Sequence, residues 1–233
     1  MKPLRVLLFD VFGTLVDWRT SLIDLAEAMA NRTGAQADWA AVIDDWRRAY
    51  QPAMDRVRRG AVWRDLDSLQ RETLSEVLAA RDIGLSAEDH ELLVQGWRQL
   101  RPWPDSRAGL DRLRRKHITA TLSNGHLALL ADLLKFSELR VDVLLSAQLA
   151  GSYKPDPEVY RTALRLLDCS PEEAGMVAAH PSDLRAAAAL GLRPLFVRRP
   201  SEWGSGVPPA DPPTLDGLLD ADGLDQLATA LGC

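Results

Sequence analysis

Only two of the 233 residues are cysteine, Cys169 and the terminal Cys233. They stand far apart without metal-ligand spacing, which argues against a disulfide framework and against a zinc site. No apolar run approaches the roughly 18 residues that a membrane span needs. The N-terminal run is broken by Asp10 before it could serve as a signal peptide, so a cytoplasmic location is expected. Basic runs are also missing, and 28 Lys and Arg against 33 Asp and Glu leave a net charge of -5. Nucleic acid and membrane are therefore not expected partners, and a small molecule is. What is present is ordinary for a globular chain of one or two domains: 46% hydrophobic and 26% charged residues.

The chain opens on "RVLLFDVFGTLVDW", an apolar run that ends on a carboxylate. From about Leu15 to Gly96 the pattern is helical, with apolar residues three and four apart in "SLIDLAEAMANRTG", "WAAVIDDWRRAYQPAMDRVRRG" and "LDSLQRETLSEVLAARDIG". Gly34, Gly60 and Gly84 are expected stops. Past Arg101, strands and helices alternate: "HITATLSN" and "HLALLADLLKFSEL", "VDVLLSA" and "PDPEVYRTALRLLD", "GMVAA" and "SDLRAAAALGL", "RPLFVRRP", then a late "TLDGLLD" before a final helix. Such alternation predicts an α/β fold, a doubly wound parallel sheet with a Rossmann-like core. The core would comprise residues 1–14 and 97–233, and residues 15–96 would form an inserted helical cap. "PSEWGSGVPPADPP" reads as a surface loop.

Ligands of such sheets sit outside the carboxyl ends of the strands. Just past the expected strands lie Asp10 and Thr14, then Ser123 and Asn124, then Lys154, then His180 and Asp183. Each alone has a bland explanation as turn, cap or solvated loop residue. Together they place a polar residue at every strand end, with a lysine on one loop and carboxylates on two others.

"DVFGT", "LSN", "YKPDP" and "AAHPSD", in that order, resemble the four motifs of the haloacid dehalogenase superfamily across nearly the whole chain. The resemblance implies that Asp10 is a nucleophile. Phosphatases of this superfamily carry a second Asp two places on, which protonates an alkoxide leaving group; here that place holds Phe12. They also carry an acidic pair at the fourth motif that helps to hold magnesium; here stand Ala178 and Ala179. Halide leaves as a stable anion and needs neither. The sequence is thus similar to the L-2-haloacid dehalogenases, which implies hydrolysis of short 2-haloacids through an ester on Asp10, with no metal or other cofactor.

Family roles carry over by motif. Lys154 keeps Asp10 ionised, Thr14 bonds it, and Asp183 orients or activates the hydrolytic water. Ser123 and the backbone N–H groups at Phe12 and Gly13 hold the substrate carboxylate. Asn124 and a cap arginine in a "WR" context, Arg47 with Arg48 as fallback, receive the halide. Tyr160 falls at a family site tyrosine, with helix packing as its alternative. His180, with an ordinary pKa near ~6.5, shares the base role or donates to a small halide, fluoride included, unless it only fills a polar gap. Trp63, Trp46 and Tyr50 wall an apolar pocket or belong to the core. A homodimer is the family expectation. Three rivals remain open. A phosphonate-cleaving enzyme would need a cap lysine, and none lies between Leu15 and Leu100. An atypical phosphatase and a catalytically silent binding scaffold complete the set.

Overall fold

The computed structural model describes residues 2–233. Strand β1 (Val6–Phe9) is followed by a two-residue strand β2 (Val16–Asp17) and four helices, α1 (Trp18–Thr33), α2 (Trp39–Arg58), α3 (Leu66–Ala80) and α4 (Ala87–Gly96). The chain returns through β3 (Arg101–Pro102), which pairs antiparallel with β2, so the two crossings between sheet and helical layer are tied together. It continues through α5 (Ser106–Leu113), β4 (Ile118–Thr121), α6 (Leu127–Ser137), α7 (Pro157–Leu166), β5 (Ala174–Ala178), α8 (Pro181–Ala188), β6 (Arg193–Val197), β7 (Leu219–Ala221) and α9 (Leu224–Ala230).

Five strands form one parallel sheet in the order β4-β1-β5-β6-β7. β1 is central, with Val6 beside Ile118 on one flank and Ala174 on the other. All four of its residues are buried, as an unbroken apolar run requires when both faces are covered. Strand order reverses around β1, so its carboxyl end is the topological switch point. Asp10 is the next residue.

The cap helices begin where short acceptors offer themselves. Asp17, Asp38, Asp65 and Ser86 accept from the backbone N–H groups of Thr20, Ala41, Ser68 and Asp89. Gly34 ends α1 in the left-handed region with φ +78. Trp97 gathers the apolar interior of this layer: Trp18 stacks on it at 6.3 Å, Trp46 meets it edge-on at 5.6 Å, and Phe12 from the core does the same at 5.4 Å.

One expected strand is absent. "VDVLLSA" runs beside β4 with only isolated bridges, Ala120 to Val143 and Ser123 to Ser146. Threonines of β4 replace the ladder. Thr119 donates to Asp142 Oδ2 through both its backbone N–H and its hydroxyl, while the Thr121 hydroxyl donates to Leu145 O and accepts from Leu145 N. Within "TLDGLLD" regular pairing begins only at Leu219.

Gly109 in α5 tests how tightly the sheet's outer layer is packed. A Cβ there would lie 2.3 Å from Leu224 Cβ and 3.0 Å from Leu224 C. Helix propensity favours Ala by roughly 0.5–1 kcal/mol, but overpacking costs about 1–3 kcal/mol. Gly109→Ala is therefore expected to unfold at lower urea than wild type; a shift to higher urea would mean that α9 yields without cost.

Candidate active site

The loop after β1 is held by its backbone. Asp10 N–H donates to Val177 O at 3.0 Å, extending the pairing with β5 by one residue. Three successive carbonyls are then claimed: Gly13 O by Trp103 Nε1 at 3.0 Å, Thr14 O by Arg199 Nε at 2.9 Å, and Leu15 O by the Ser106 hydroxyl at 2.7 Å. With these groups satisfied, the loop has one conformation available. Gly13 needs to be glycine: its φ is +84, and a Cβ would fall 2.2 Å from Glu202 Oε1.

Asp10 is 7% exposed, Lys154 5% and Asp183 5%. Lys154 Nζ donates to Asp10 Oδ1 at 2.9 Å and to Asp183 Oδ2 at 2.5 Å. Asp10 Oδ2 accepts from the Thr14 hydroxyl at 2.7 Å and is 2.9 Å from His180 Nδ1. Ala179 N–H donates to the Thr14 hydroxyl oxygen and so fixes its rotor. Burial pushes the Asp10 carboxyl up, but the charges and bonds of Lys154 and His180 outweigh it and hold the group far below the usual carboxylate range. Burial disfavours the Lys154 ammonium too, and its two carboxylate partners outweigh that. Asp183 moves the other way. Its burial, reinforced by the Asp10 charge, raises it despite Lys154 and the Tyr160 hydroxyl, which donates to Asp183 Oδ1 at 2.5 Å.

His180 also contacts Glu202 Oε1, at 3.0 Å from its Nε2, and the same oxygen accepts from Trp18 Nε1 at 3.0 Å. Glu202 lies in the segment expected as a surface loop, yet it is 5% exposed. Burial works against a charged His180, but Glu202 and Asp10 outweigh it and push the imidazole up to about 10. Both ring nitrogens then carry protons, each facing a carboxylate. With a carboxylate facing each ring nitrogen, the geometry favours the donor role offered for His180 over the base role.

These groups form the floor of a cavity of about 140 Å³, small against the roughly 300–1,000 Å³ of common ligand pockets. Its walls include Phe12, Asn124, Ser182 and, from α2, Arg47, Tyr50 and Gln51. Arg47 is the cap arginine here. Its guanidinium lies over the rings of Tyr50 at 4.6 Å and Trp18 at 5.3 Å, while Nε and Nη1 are buried without an acceptor. Arg48 points elsewhere, pairing with Asp45 and lying over Trp203. Asn124 Oδ1 accepts from Lys154 N–H at 2.7 Å, tying the second motif to the lysine loop.

Other expected residues stand outside the cavity wall. Trp63 stacks on Tyr153 at 4.6 Å, and Trp46 donates from Nε1 to Gln70 O within the cap interior. Tyr160 is fully buried and reaches the cavity only through Asp183. The Ser123 hydroxyl accepts from Gly125 N–H at 3.1 Å and braces its own turn. Gly13 N–H is spent on Val16 O at 3.0 Å, whereas Phe12 N–H has no backbone acceptor among the described residues. Among those residues no three His, Cys, Asp or Glu side chains are grouped to hold a metal ion. A hard cation wants oxygen ligands, and Phe12, Ala178 and Ala179 offer none.

The His180 charge is measurable. Because its folded pKa stands above the ordinary ~6.5, the stability held in its two contacts is complete below that pH and is lost as pH rises through about 10. The His180 ring resonances should therefore be those of an imidazolium at neutral pH and titrate near 10. In Glu202→Gln they should titrate at lower pH. A neutral ring at pH 7 in wild type would overturn the assignment.

The haloacid dehalogenase-like hydrolase family model matches residues 4–191. The crystal structure of an L-2-haloacid dehalogenase superposes with a TM-score of 0.92 at 43% identity, covering 98% of this chain and 99% of that one. That of a defluorinating L-2-haloacid dehalogenase gives 0.93 at 36% identity, covering 99% and 96%. The (S)-2-haloacid dehalogenase 4A of Burkholderia cepacia is 29% identical over 203 residues, 85% of each chain. Phosphatases of Mycobacterium tuberculosis and Thermus thermophilus are also relatives, so likeness alone leaves the chemistry to the site. By the match of its motifs, sheet order and length, the chain belongs to the haloacid dehalogenase-like hydrolases.

Proposed function

We propose that the protein is an (S)-2-haloacid dehalogenase that hydrolyses short 2-haloalkanoic acids to 2-hydroxy acids and halide through an ester on Asp10. The observation that carries this reading is an ionised carboxylate facing, across a small cavity, an arginine with unpaired N–H groups, with a phenyl ring where a phosphatase keeps its acid. A homodimer and a cytoplasmic setting accompany it through the family resemblance.

The contacts of Asp10 support different parts for its two oxygens. Oδ2 already has two partners, Thr14 and His180; Oδ1 has only Lys154. The less encumbered Oδ1 attacks the halogen-bearing carbon in line, the C–O bond forms as the carbon–halogen bond breaks, and the carbon inverts. Halide carries the electron pair toward Arg47. The Phe12 N–H, with Asn124 and Arg47 nearby, receives the substrate carboxylate. Oδ2 remains the ester carbonyl, with the Thr14 hydroxyl and the His180 imidazolium aimed at the charge that develops on it. Water then adds to the Asp10 carboxyl carbon and gives a proton to Asp183, whose raised pKa suits a base. Collapse expels the 2-hydroxy acid, whose alkoxide takes that proton. Asp10 is left as an acid, and its depressed pKa releases the remaining proton to solvent.

A phosphatase reading meets the structure at Phe12. That ring is 2% exposed against Trp97, so the position is built for a hydrocarbon.

In the presence of EDTA, wild type should release chloride from chloroacetate and from one enantiomer of 2-chloropropionate, while Asp10→Asn should fall to background. In a single turnover in ¹⁸O-water the label should enter Asp10 and not the product. Magnesium-dependent cleavage of p-nitrophenyl phosphate without chloride release would overturn the proposal, and silence in both assays would favour a binding scaffold.

A further inference from the structure

In-line attack from Asp10 sends the leaving group to the opposite wall, which is α2. Three of its side chains line the cavity there: Arg47, Tyr50 and Gln51. Gln51 is tied down, since its Nε2 donates to Asp55 Oδ1 at 3.1 Å. Tyr50 is three residues from Arg47 and hence on the same face of the helix. Its ring is held by two neighbours that also touch each other: the Arg47 guanidinium lies 4.6 Å from its centroid and 5.9 Å from that of Trp97, and Trp97 runs parallel to it at 6.4 Å and 11°. The ring is thus fixed in place, yet its hydroxyl donates no hydrogen bond to any described residue. Burial pushes the phenol up, so it keeps its proton. A hydroxyl on a cavity-lining ring that has no acceptor in the protein is free to donate to a ligand in that cavity.

We infer that the Tyr50 hydroxyl is a second donor to the departing halide beside Arg47, and that it fits the site to fluorinated short acids; this rests on the dehalogenase reading above. Fluoride is the halide that gains most from it. Its charge is concentrated on a small atom, it accepts strong hydrogen bonds, and its bond to carbon is the hardest to break, so stabilisation must come from donors aimed at the developing anion. Bromide is large and diffuse and leaves without such help. His180, considered for this task from sequence, is committed to Asp10 and Glu202, which moves the donor role to the cap.

The test compares halide release from fluoroacetate, chloroacetate and bromoacetate by wild type and Tyr50→Phe. Phenylalanine keeps the ring's contacts with Arg47 and Trp97 and removes only the hydroxyl. The ratio of kcat/KM for fluoroacetate to that for bromoacetate should fall about tenfold in the variant, the scale of one hydrogen bond to a charged group. Chloroacetate should lie between. Because the ratio is taken on one preparation, a loss of folded protein cancels. An unchanged ratio would overturn the inference, as would wild type that hydrolyses chloroacetate and bromoacetate but not fluoroacetate. Wild type that releases no halide from any of the three would instead overturn the dehalogenase reading itself.

Discussion

A lysine ammonium buried between two carboxylates holds this site together. Lys154 cannot be dry and charged without Asp10 and Asp183, nor can they without it. Breaking a buried pair from one side leaves a bare charge at a cost of about 3–5 kcal/mol. Asp10 follows β1, Lys154 precedes α7 and Asp183 lies in the first turn of α8, so the contacts also fix the end of β1 and the starts of α7 and α8 relative to one another. Around this triad the charges balance: Asp10, Asp183 and Glu202 against Lys154, His180 and Arg47. Substrate adds one negative charge to a neutral cluster. In the proposed reaction, esterification would remove the charge of Asp10, and departure of the halide would restore the original balance.

The second ion pair joins layers that are distant in sequence. Glu202, beyond β6, reaches the first residue of α1 through Trp18 Nε1 and the catalytic loop through His180. Gly13 gives its carboxylate the room. The cap therefore touches the catalytic floor on two sides, by Trp97 against Phe12 and by Trp18 against Glu202. Motion of the cap would change both the apolar wall of the cavity and the field on His180.

Much of the site could be read from the chain because its chemistry sits in short segments at strand ends. "DVFGT" places nucleophile, loop glycine and threonine within five residues, and the backbone contacts of β1 leave their positions little choice. The parallel sheet followed from unbroken apolar runs, which strands covered on both faces must have. Where local pattern and tertiary demand part, the reading fails. "VDVLLSA" has strand composition and bonds β4 through Val143, but the Thr121 hydroxyl takes both backbone groups of Leu145 and the Asp142 carboxylate takes Thr119 N–H, which leaves isolated bridges. Trp63 is aromatic and belongs to the expected cap, yet it stacks on Tyr153 and does not line the cavity. Arg47 and Arg48 differ only in helical register, and their neighbours separate them: rings and a cavity for one, Asp45 for the other. Glu202 was hidden by its setting, an acid among glycines and prolines. Nothing local distinguishes such a glutamate from a solvated one. The only available hint was an unexplained histidine in the fourth motif, which needs a counter-charge if it is to stay protonated.

Phe12 shows how packing and chemistry select the same residue. Its ring closes the apolar junction against Trp97, where a carboxylate would have to be buried without a cation of its own, because Lys154 is already shared. An acid at that place is also unnecessary for carbon–halogen cleavage. On the proposed mechanism the first step transfers no proton, since halide would depart as an anion toward the cavity wall that Arg47 and Tyr50 form. Protons move only in the second step, and the groups that move them stand on the opposite side of Asp10. On the proposed mechanism Asp183, raised, would take the proton from water and pass it to the leaving alkoxide, and Asp10, depressed, would surrender the one left on it. Two carboxylates that share one lysine are thus pushed in opposite directions, a separation that suits the proposed division into nucleophile and base.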